Sequence, residues 1–362
     1  MILGFILIVA MSALARADDV APSAEPSAAG GPPSDAPAAA APALVPPKVP
    51  GPGWPPPPID HERWTIPDAI VQAVRGVRAR PIAERMEAAS RGLLGAPYVN
   101  EAAGEGVGRD ADPPGRYDAF DCLTFVEEVL GIAVAADPLY APAVRDALRW
   151  GDQARAYDTR RHFMEASWIP GAVASGVLAD ITDRVGPART LEKTVTPQVW
   201  ANWGRRRLFA VPDAALPVGT WSLRYLDLVA AAAAVSAIPD GTILLTLRQP
   251  RPWVPIVVTH IGLVVRDASG VKVRHATRMG QQLVRDDRLD WYVNHLRDFV
   301  NWRSLGIALY FPREQGPRVS ALGPSPLDLP ALPSADGPLP EVVPAYVAAL
   351  AAQAAADPAP EL

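Results

Sequence analysis

Proline decides where this chain can build a core. There are 41 prolines among 362 residues, well above the ~5% of ordinary globular chains, and they crowd the two ends. From Asp18 to about Asp60 the sequence is Ala, Pro, Ser and Gly, closing in VPPKVPGPGWPPPPID. With so few large apolar residues it cannot offset its ordering entropy, so residues 18–60 are expected to be a disordered tether, locally polyproline II. A second Pro/Ala-rich tail is expected over 315–362, where EVVPAYVAALAAQAAA reads as a short helix. The folded part is therefore expected over 61–314, enough for one large or two small domains.

Ahead of the tether, MILGFILIVAMSALARADD carries an apolar run closed by Ala15-Arg16-Ala17. Residues 1–17 are expected to be a signal peptide cut near Ala17, which implies export to the periplasm or cell envelope. The run has no Lys or Arg before it, which leaves an uncleaved anchor open. No later stretch reaches the ~20 apolar residues of a membrane span; LVAAAAAVSAI is too short, so no stable span is expected after cleavage. With 34 basic and 39 acidic residues and a net charge of -5, the chain has no basic block of the kind that binds nucleic acid.

Within the central part, helices are expected first. IPDAIVQAVRGVRA and RPIAERMEAASRGLLG fit two, the second opening near Pro81 and stopping at Gly95. DCLTFVEEVLGIAVA spaces its apolar residues for a largely buried helix with Asp121 as N-cap, and Leu223–Ile238 is another candidate. Strands follow at 241–247, 256–265, 270–277 and 305–311, β-branched runs bounded by Pro, Asp and Gly. A helical block followed by an antiparallel sheet is α+β architecture. Residues 175–215 give no clear signal, although NWGRRRLF suggests a basic edge for an anionic substrate.

Cys122 is the single cysteine, and an exported chain with one cysteine has either a reactive or an intermolecular thiol, unless it is a buried, inert small residue. The first turn of a helix favours negative charge, so the position is expected to lower the thiol pKa. A nucleophilic Cys also needs a His within hydrogen-bond reach and a third group orienting it. Of the five histidines, His260 interrupts an apolar strand, where an unpaired imidazole is costly, and His275 follows across a tight turn. Periodicity alone does not put the two on one side. No His-Glu-x-x-His or Cys-x-x-Cys spacing indicates a metal, and no Gly-x-Ser-x-Gly indicates a serine hydrolase.

Asp121-Cys122 opening a helix, then Thr259-His260-Ile261-Gly262 on a strand and His275-Ala276 on the next, resembles the papain-like NlpC superfamily of cell-wall cysteine hydrolases. LLGAPYV, YDAFDCLTFVEEVL, YDTRRHFMEASWI and VTHIGLVV are together similar to its N-acetylmuramoyl-L-alanine amidase-like family, formerly a domain of unknown function, over about Ile66 to Phe311. The resemblance implies an α+β, NlpC-type fold in which the cysteine begins a helix packed on an antiparallel sheet that carries the histidines. It implies Cys122 as nucleophile, His260 as base and acid, and His275 as the residue orienting His260, with no metal or cofactor. Arg160 and His162 match an Arg-x-His block that contacts substrate, and Trp168 matches the tryptophan that follows. Tyr117 is a guess for an oxyanion contact. Phe163 replaces an expected Tyr and Ser167 an expected acidic residue, which bears on substrate detail.

The activity so implied is cleavage of the amide between N-acetylmuramic acid and L-alanine, in peptidoglycan or muramyl-peptide fragments. A γ-D-glutamyl stem-peptide endopeptidase would use the same residues. A wall-binding module without catalysis is the third reading.

Overall fold

The computed structural model describes residues 65–206, 211–325 and 327–333. The expected signal peptide, tether and tail helix lie outside them. The chain opens with α1 (Asp68–Gly76) and α2 (Ile82–Arg91), which bury Ile70 and Val74, and Ile82, Met86 and Ala89, on one face of each. Pro81 immediately precedes α2, where its missing N–H costs nothing. Gly95, at φ 85°, sits in the turn that follows, a conformation side chains with a Cβ resist.

Helix α3 (Cys122–Ala135) is buried all round, only Leu123 keeping appreciable exposure. Its start is fixed locally. Asp121 Oδ1 accepts from the Leu123 and Thr124 amides at 2.9 and 2.8 Å, and Thr124 Oγ1 accepts from the Asp121 N–H at 3.0 Å, a reciprocal capping box. Helix α4 (Ala141–Trp150) packs alongside. A π-helical turn at Met164–Trp168 runs into α5 (Ile169–Ala174), followed by β1 (Leu178–Asp180), α6 (Thr182–Val185), β2 (Arg189–Val195) and α7 (Pro197–Asn202).

The remaining elements are β3 (Gly219–Asp227), α8 (Leu228–Ala234), β4 (Ile243–Arg248), β5 (Val258–Asp267), β6 (Gly270–Thr277), β7 (Leu283–Arg288), α9 (Leu289–His295), β8 (Ser304–Pro312) and α10 (Gly316–Ser320). The strands form one antiparallel sheet in the order β2-β3-β8-β4-β5-β6-β7, with β1 also on β8. This is the α+β arrangement expected, and the four strands read from the sequence appear as β4, β5, β6 and β8.

Two readings change. Leu223–Ile238 is not one helix: its first residues lie in β3, where Ser222, Leu223, Arg224 and Tyr225 alternate between exposed or half-buried and buried, a period of two, and helix begins only where Asp227 caps the Val229 and Ala230 amides. Strand β7, LVRDDR, was missed because it buries only Val284; pairing with β6 from Lys272 to Thr277 holds it.

The sheet has a core on each face. Ile261, Leu263 and Val265 of β5 pack with Phe125, Val126 and Val129 of α3, while Val264 and Val273 pack with α8 and α9 through Ala231, Tyr292 and Val293. A third cluster gathers Phe163, Trp200, Trp203 and Trp302 with Val195 of β2, and Val195, Trp200, Trp203 and Val211 are what the weakly patterned region after 175 contributes to it.

The segment after Glu314, assigned to the tail by composition, continues the packing. Val319 is buried, and Arg85 holds Glu314 at 2.5 Å. Tyr140 donates to the Pro324 carbonyl at 3.1 Å and Arg78 to that of Pro330 at 2.5 Å. Proline lacks the amide but keeps its carbonyl, and those carbonyls anchor the segment through residue 333. Among the described residues, no helix is long and apolar enough to cross a membrane.

Candidate active site

Cys122 is the first residue of α3 and is 2% exposed. Its environment differs from the expectation of a lowered pKa. Amides of Ile261, Cys122 and Leu123 face the sulfur and pull the pKa down, but burial first and the adjacent Asp121 carboxylate second push it well up. After burial, the capping box adds to the rise, because it holds the Asp121 carboxylate beside the thiol.

The Ile261 amide reaches Cys122 through a gap in the sheet. Pairing between β5 and β6 stops at Leu263 and Arg274. Val264 exchanges hydrogen bonds on the β4 side, with Thr242 and Gly241, so alternation turns the Ile261 amide toward β6. There, beyond the last pair, it meets the sulfur instead of a strand. The start of α3 thus plugs the opening between the two strands that carry the histidines.

On the other side of this opening, His260 Nε2 and His275 Nδ1 lie 2.7 Å apart. Gly262 makes the approach possible, because a Cβ there would lie 2.7 Å from Val273 Cγ2 and 3.1 Å from His275 Cβ. His275 Nε2 in turn lies 3.0 Å from Asp287 Oδ2 on β7, which also accepts from Arg285. Desolvation, then His275 and then Arg248, hold the half-buried His260 well below the usual imidazole range. Burial also lowers His275, against the pull of Asp287. Asp287 is lowered by its contacts with His275 and Arg285, which outweigh its partial burial.

Two tyrosines line the cluster. The Tyr292 ring lies 6.3 Å from His260 and 5.5 Å from His275, with its hydroxyl 2.7 Å from Thr246 Oγ1. Tyr98 is held against the Cys segment by bridges between Pro97-Tyr98-Val99 and Phe120. Both phenols are near enough for a Cys122 thiolate to oppose their ionisation, and burial is the larger cause of their raised pKa values. The sequence contained Tyr98, in LLGAPYV, but nothing local tied it to the cysteine. Asp287 and Tyr292 were likewise not singled out.

Arg160 and His162 line a cleft with Asp121, Leu123 and Thr124, so the Arg-x-His block comes to the start of α3. Arg160 donates to Asp110 Oδ2 at 2.8 Å and to the Ala103 carbonyl at 2.7 Å, and stacks over Tyr157. His162 Nε2 donates to the Tyr157 carbonyl at 2.6 Å, and burial, with Arg160, lowers its pKa to about 3.

Tyr117 and Trp168 are placed elsewhere. Tyr117 faces Glu128 and Arg145, and its pKa is raised chiefly by burial; Tyr98 and Tyr292, not Tyr117, are the tyrosines near Cys122. Trp168 is fully buried, its Nε1 donating to Glu127 Oε1 at 2.9 Å; it has no surface with which to touch a substrate. The departures at 163 and 167 also have reasons. Phe163 packs 4.8 Å from Trp200 in an apolar cluster, and Ser167 donates to the Phe163 carbonyl at 2.9 Å. Among the described residues, no three His, Cys, Asp or Glu side chains are disposed to hold a metal.

A thiol at a helix start, against the amide that follows His260 in sequence, and an imidazole pair anchored on a carboxylate are groups suited to nucleophilic catalysis. Residues 88–299 match the model of a family described as N-acetylmuramoyl-L-alanine amidase-like. The fold is similar to that of a Legionella pneumophila protein, with a TM-score of 0.59 and 19% identity over 74% of this chain and 95% of that one. It is also similar to an N-acetylmuramoyl-L-alanine amidase from Bacteroides uniformis, with a TM-score of 0.53 and 19% identity over 64% of this chain and 99% of that one. No curated protein is detectably similar in sequence.

Proposed function

The chain belongs to the N-acetylmuramoyl-L-alanine amidase-like family, and from that premise we propose that it is an exported, NlpC-type cysteine hydrolase that cleaves the amide joining N-acetylmuramic acid to L-alanine. The observation that carries the cysteine reading is the meeting of Cys122 with the Ile261 amide, one residue beyond His260, where the His260–His275 pair begins.

The resting pair is a neutral thiol and a neutral imidazole, since burial raises the one and lowers the other. His260 therefore takes the Cys122 proton as the sulfur attacks the lactyl carbonyl, rather than starting from a stored ion pair. The Leu123 and Thr124 amides are engaged by Asp121, so the Cys122 N–H and the Tyr98 hydroxyl are the donors for the oxyanion. His260 then protonates the departing L-Ala nitrogen. Water, deprotonated by His260, hydrolyses the thioester and returns the thiol. Arg160 and His162, on the cleft beside α3, contact the substrate.

The deciding experiment is mass spectrometry of products from a muramyl-peptide fragment, with Cys122→Ala as control. The expected product is the intact stem peptide beginning at L-Ala, absent with the variant. Cleavage after D-Glu would reassign the bond to the stem peptide, and the absence of any Cys122-dependent product would favour a wall-binding module.

A further inference from the structure

We propose that Asp287 is a positioning residue that sets the tautomers of both histidines, so that the unprotonated nitrogen of His260 is the one left for Cys122. The proposal rests on the cysteine-hydrolase reading above and extends it by a residue on a strand that the sequence did not reveal.

The hydrogen bonds around the two rings allow one assignment of donors and acceptors. Asp287 accepts from Arg285 Nη2 at 2.9 Å and Nε at 3.2 Å, which keeps it an ionised, acceptor-only group. His275 Nε2, 3.0 Å away, must then carry the proton. In a neutral imidazole the other nitrogen is an acceptor, so His275 Nδ1 offers a lone pair to His260 Nε2 at 2.7 Å. His260 Nε2 is in turn the protonated nitrogen, and Nδ1 is the base. One carboxylate thus fixes two rings in series, each by leaving it a single way to complete its hydrogen bond.

Both rings are neutral at rest, because burial is the largest cause of shift at each. When Cys122 gives up its proton to His260 Nδ1, the two protons further along stay on His260 Nε2 and His275 Nε2. No proton passes to Asp287, which stabilises the resulting imidazolium through His275. Tyr292, packed edge-on to His275 at 5.5 Å, and Gly262, beneath it, hold the rings in this geometry. Arg248, which disfavours charge on His260, is fixed by hydrogen bonds to the Trp302 carbonyl and Ser304 Oγ, both 2.9 Å, and to Thr259 Oγ1 at 3.3 Å.

The test compares Asp287→Asn with Asp287→Ala. Asn preserves volume but offers an NH2 donor; donating to His275 Nε2, it would invert both rings and turn an N–H of His260 toward the thiol. Ala removes the acceptor without supplying a donor. The expected order is therefore Asn worse than Ala, with kcat/KM for the muramyl-peptide falling by roughly 10³- to 10⁴-fold for Asn, mostly in kcat. A packing role predicts the reverse order.

The independent readout is the 15N spectrum of the histidine-labelled full-length protein, which reports tautomers without turnover. Wild type is expected to show Nε2–H at both His260 and His275, and Asp287→Asn to show Nδ1–H. An Nδ1–H at His275 in wild type, or an Asn variant as active as the Ala variant, would overturn the proposal. Failure of wild type to release a Cys122-dependent product would instead count against the hydrolase reading, and the wild-type spectrum would still decide the role of Asp287.

Discussion

Two buried polar networks touch helix α3, one at its first residue and one along its flank, and they are built in opposite ways. On the flank, Glu127 Oε2 accepts from Arg149 Nε at 2.9 Å and Nη2 at 2.5 Å, while Glu127 Oε1 takes the Trp168 indole. Arg145 pairs with Asp146 at 2.7 Å and with Glu128 at 3.5 Å, and Arg155 closes on Asp146. Carboxylates balance guanidiniums, and neighbouring carboxylates hold Arg145 and Arg149 charged despite burial. At the first residue, Cys122 meets the Ile261 amide, next in sequence to His260, from which hydrogen bonds run through His275 to Asp287, and burial keeps the thiol and both imidazoles neutral. On the flank every buried charge meets its opposite; at the first residue the thiol and the imidazoles are neutral, and the one ionised group, Asp287, lies at the far end beside Arg285.

The contrast is broken most severely by Glu127→Ala. It removes the carboxylate that accepts two hydrogen bonds from Arg149, which is 2% exposed and keeps only the Pro114 carbonyl and a Glu128 contact at 4.0 Å, so a loss of about 3–5 kcal/mol in urea unfolding is expected. Cys122→Ala, by comparison, is expected to abolish turnover while shifting stability by no more than about 1 kcal/mol. A stable Glu127→Ala protein would remove the structural half of the comparison.

The tyrosines sharpen it at smaller scale. Tyr98→Phe is expected to lower kcat by roughly 10²-fold, the cost of one oxyanion donor. Tyr117→Phe, on the flank, should stay within about twofold. Equal losses at the two would put the oxyanion contact elsewhere.

The smallest expected effect is that of pH. His260 must be neutral to act as base, and its folded pKa lies well below 6.5, so protonation switches it off only far on the acid side. The profile of kcat/KM should be flat between about pH 6 and about pH 8, and an acid limb centred at 6.5 would sink the neutral-pair mechanism. Because burial raises the Cys122 pKa, alkylation by iodoacetamide should climb with pH and be no faster at neutrality than for a free cysteine. Slow labelling is therefore compatible with an enzyme here.

The regions that were legible share a cause. Helix α3, its Asp121 cap and strands β4, β5, β6 and β8 each rest on a pattern contained within about fifteen residues. The place of Cys122 at the start of α3 and the neighbouring strands that carry His260 and His275 were readable because each rests on a local motif. Strand β7 was not, since LVRDDR buries one residue and owes its conformation to β6, and with it went Asp287. Tyr117 was preferred to Tyr98 because it is nearer in sequence, whereas the bridge from Tyr98 to Phe120 spans 22 residues. Trp168 is core because Glu127, 41 residues away, needs its indole.

By itself, then, the sequence determined which segments are helix and strand over most of the core, that a lone thiol opens a buried helix, and which family the chain resembles. These follow from periodicity, capping and short motifs, all of them interactions between near neighbours. Tertiary structure alone decided that the β5–β6 ladder parts at Leu263, that Ile261 turns its amide to the sulfur, and that a carboxylate on β7 anchors the histidines. It also reversed the sign of the expected shift at Cys122, because desolvation depends on everything packed around a group, whereas the helix dipole that favoured a thiolate depends only on the residues that follow it.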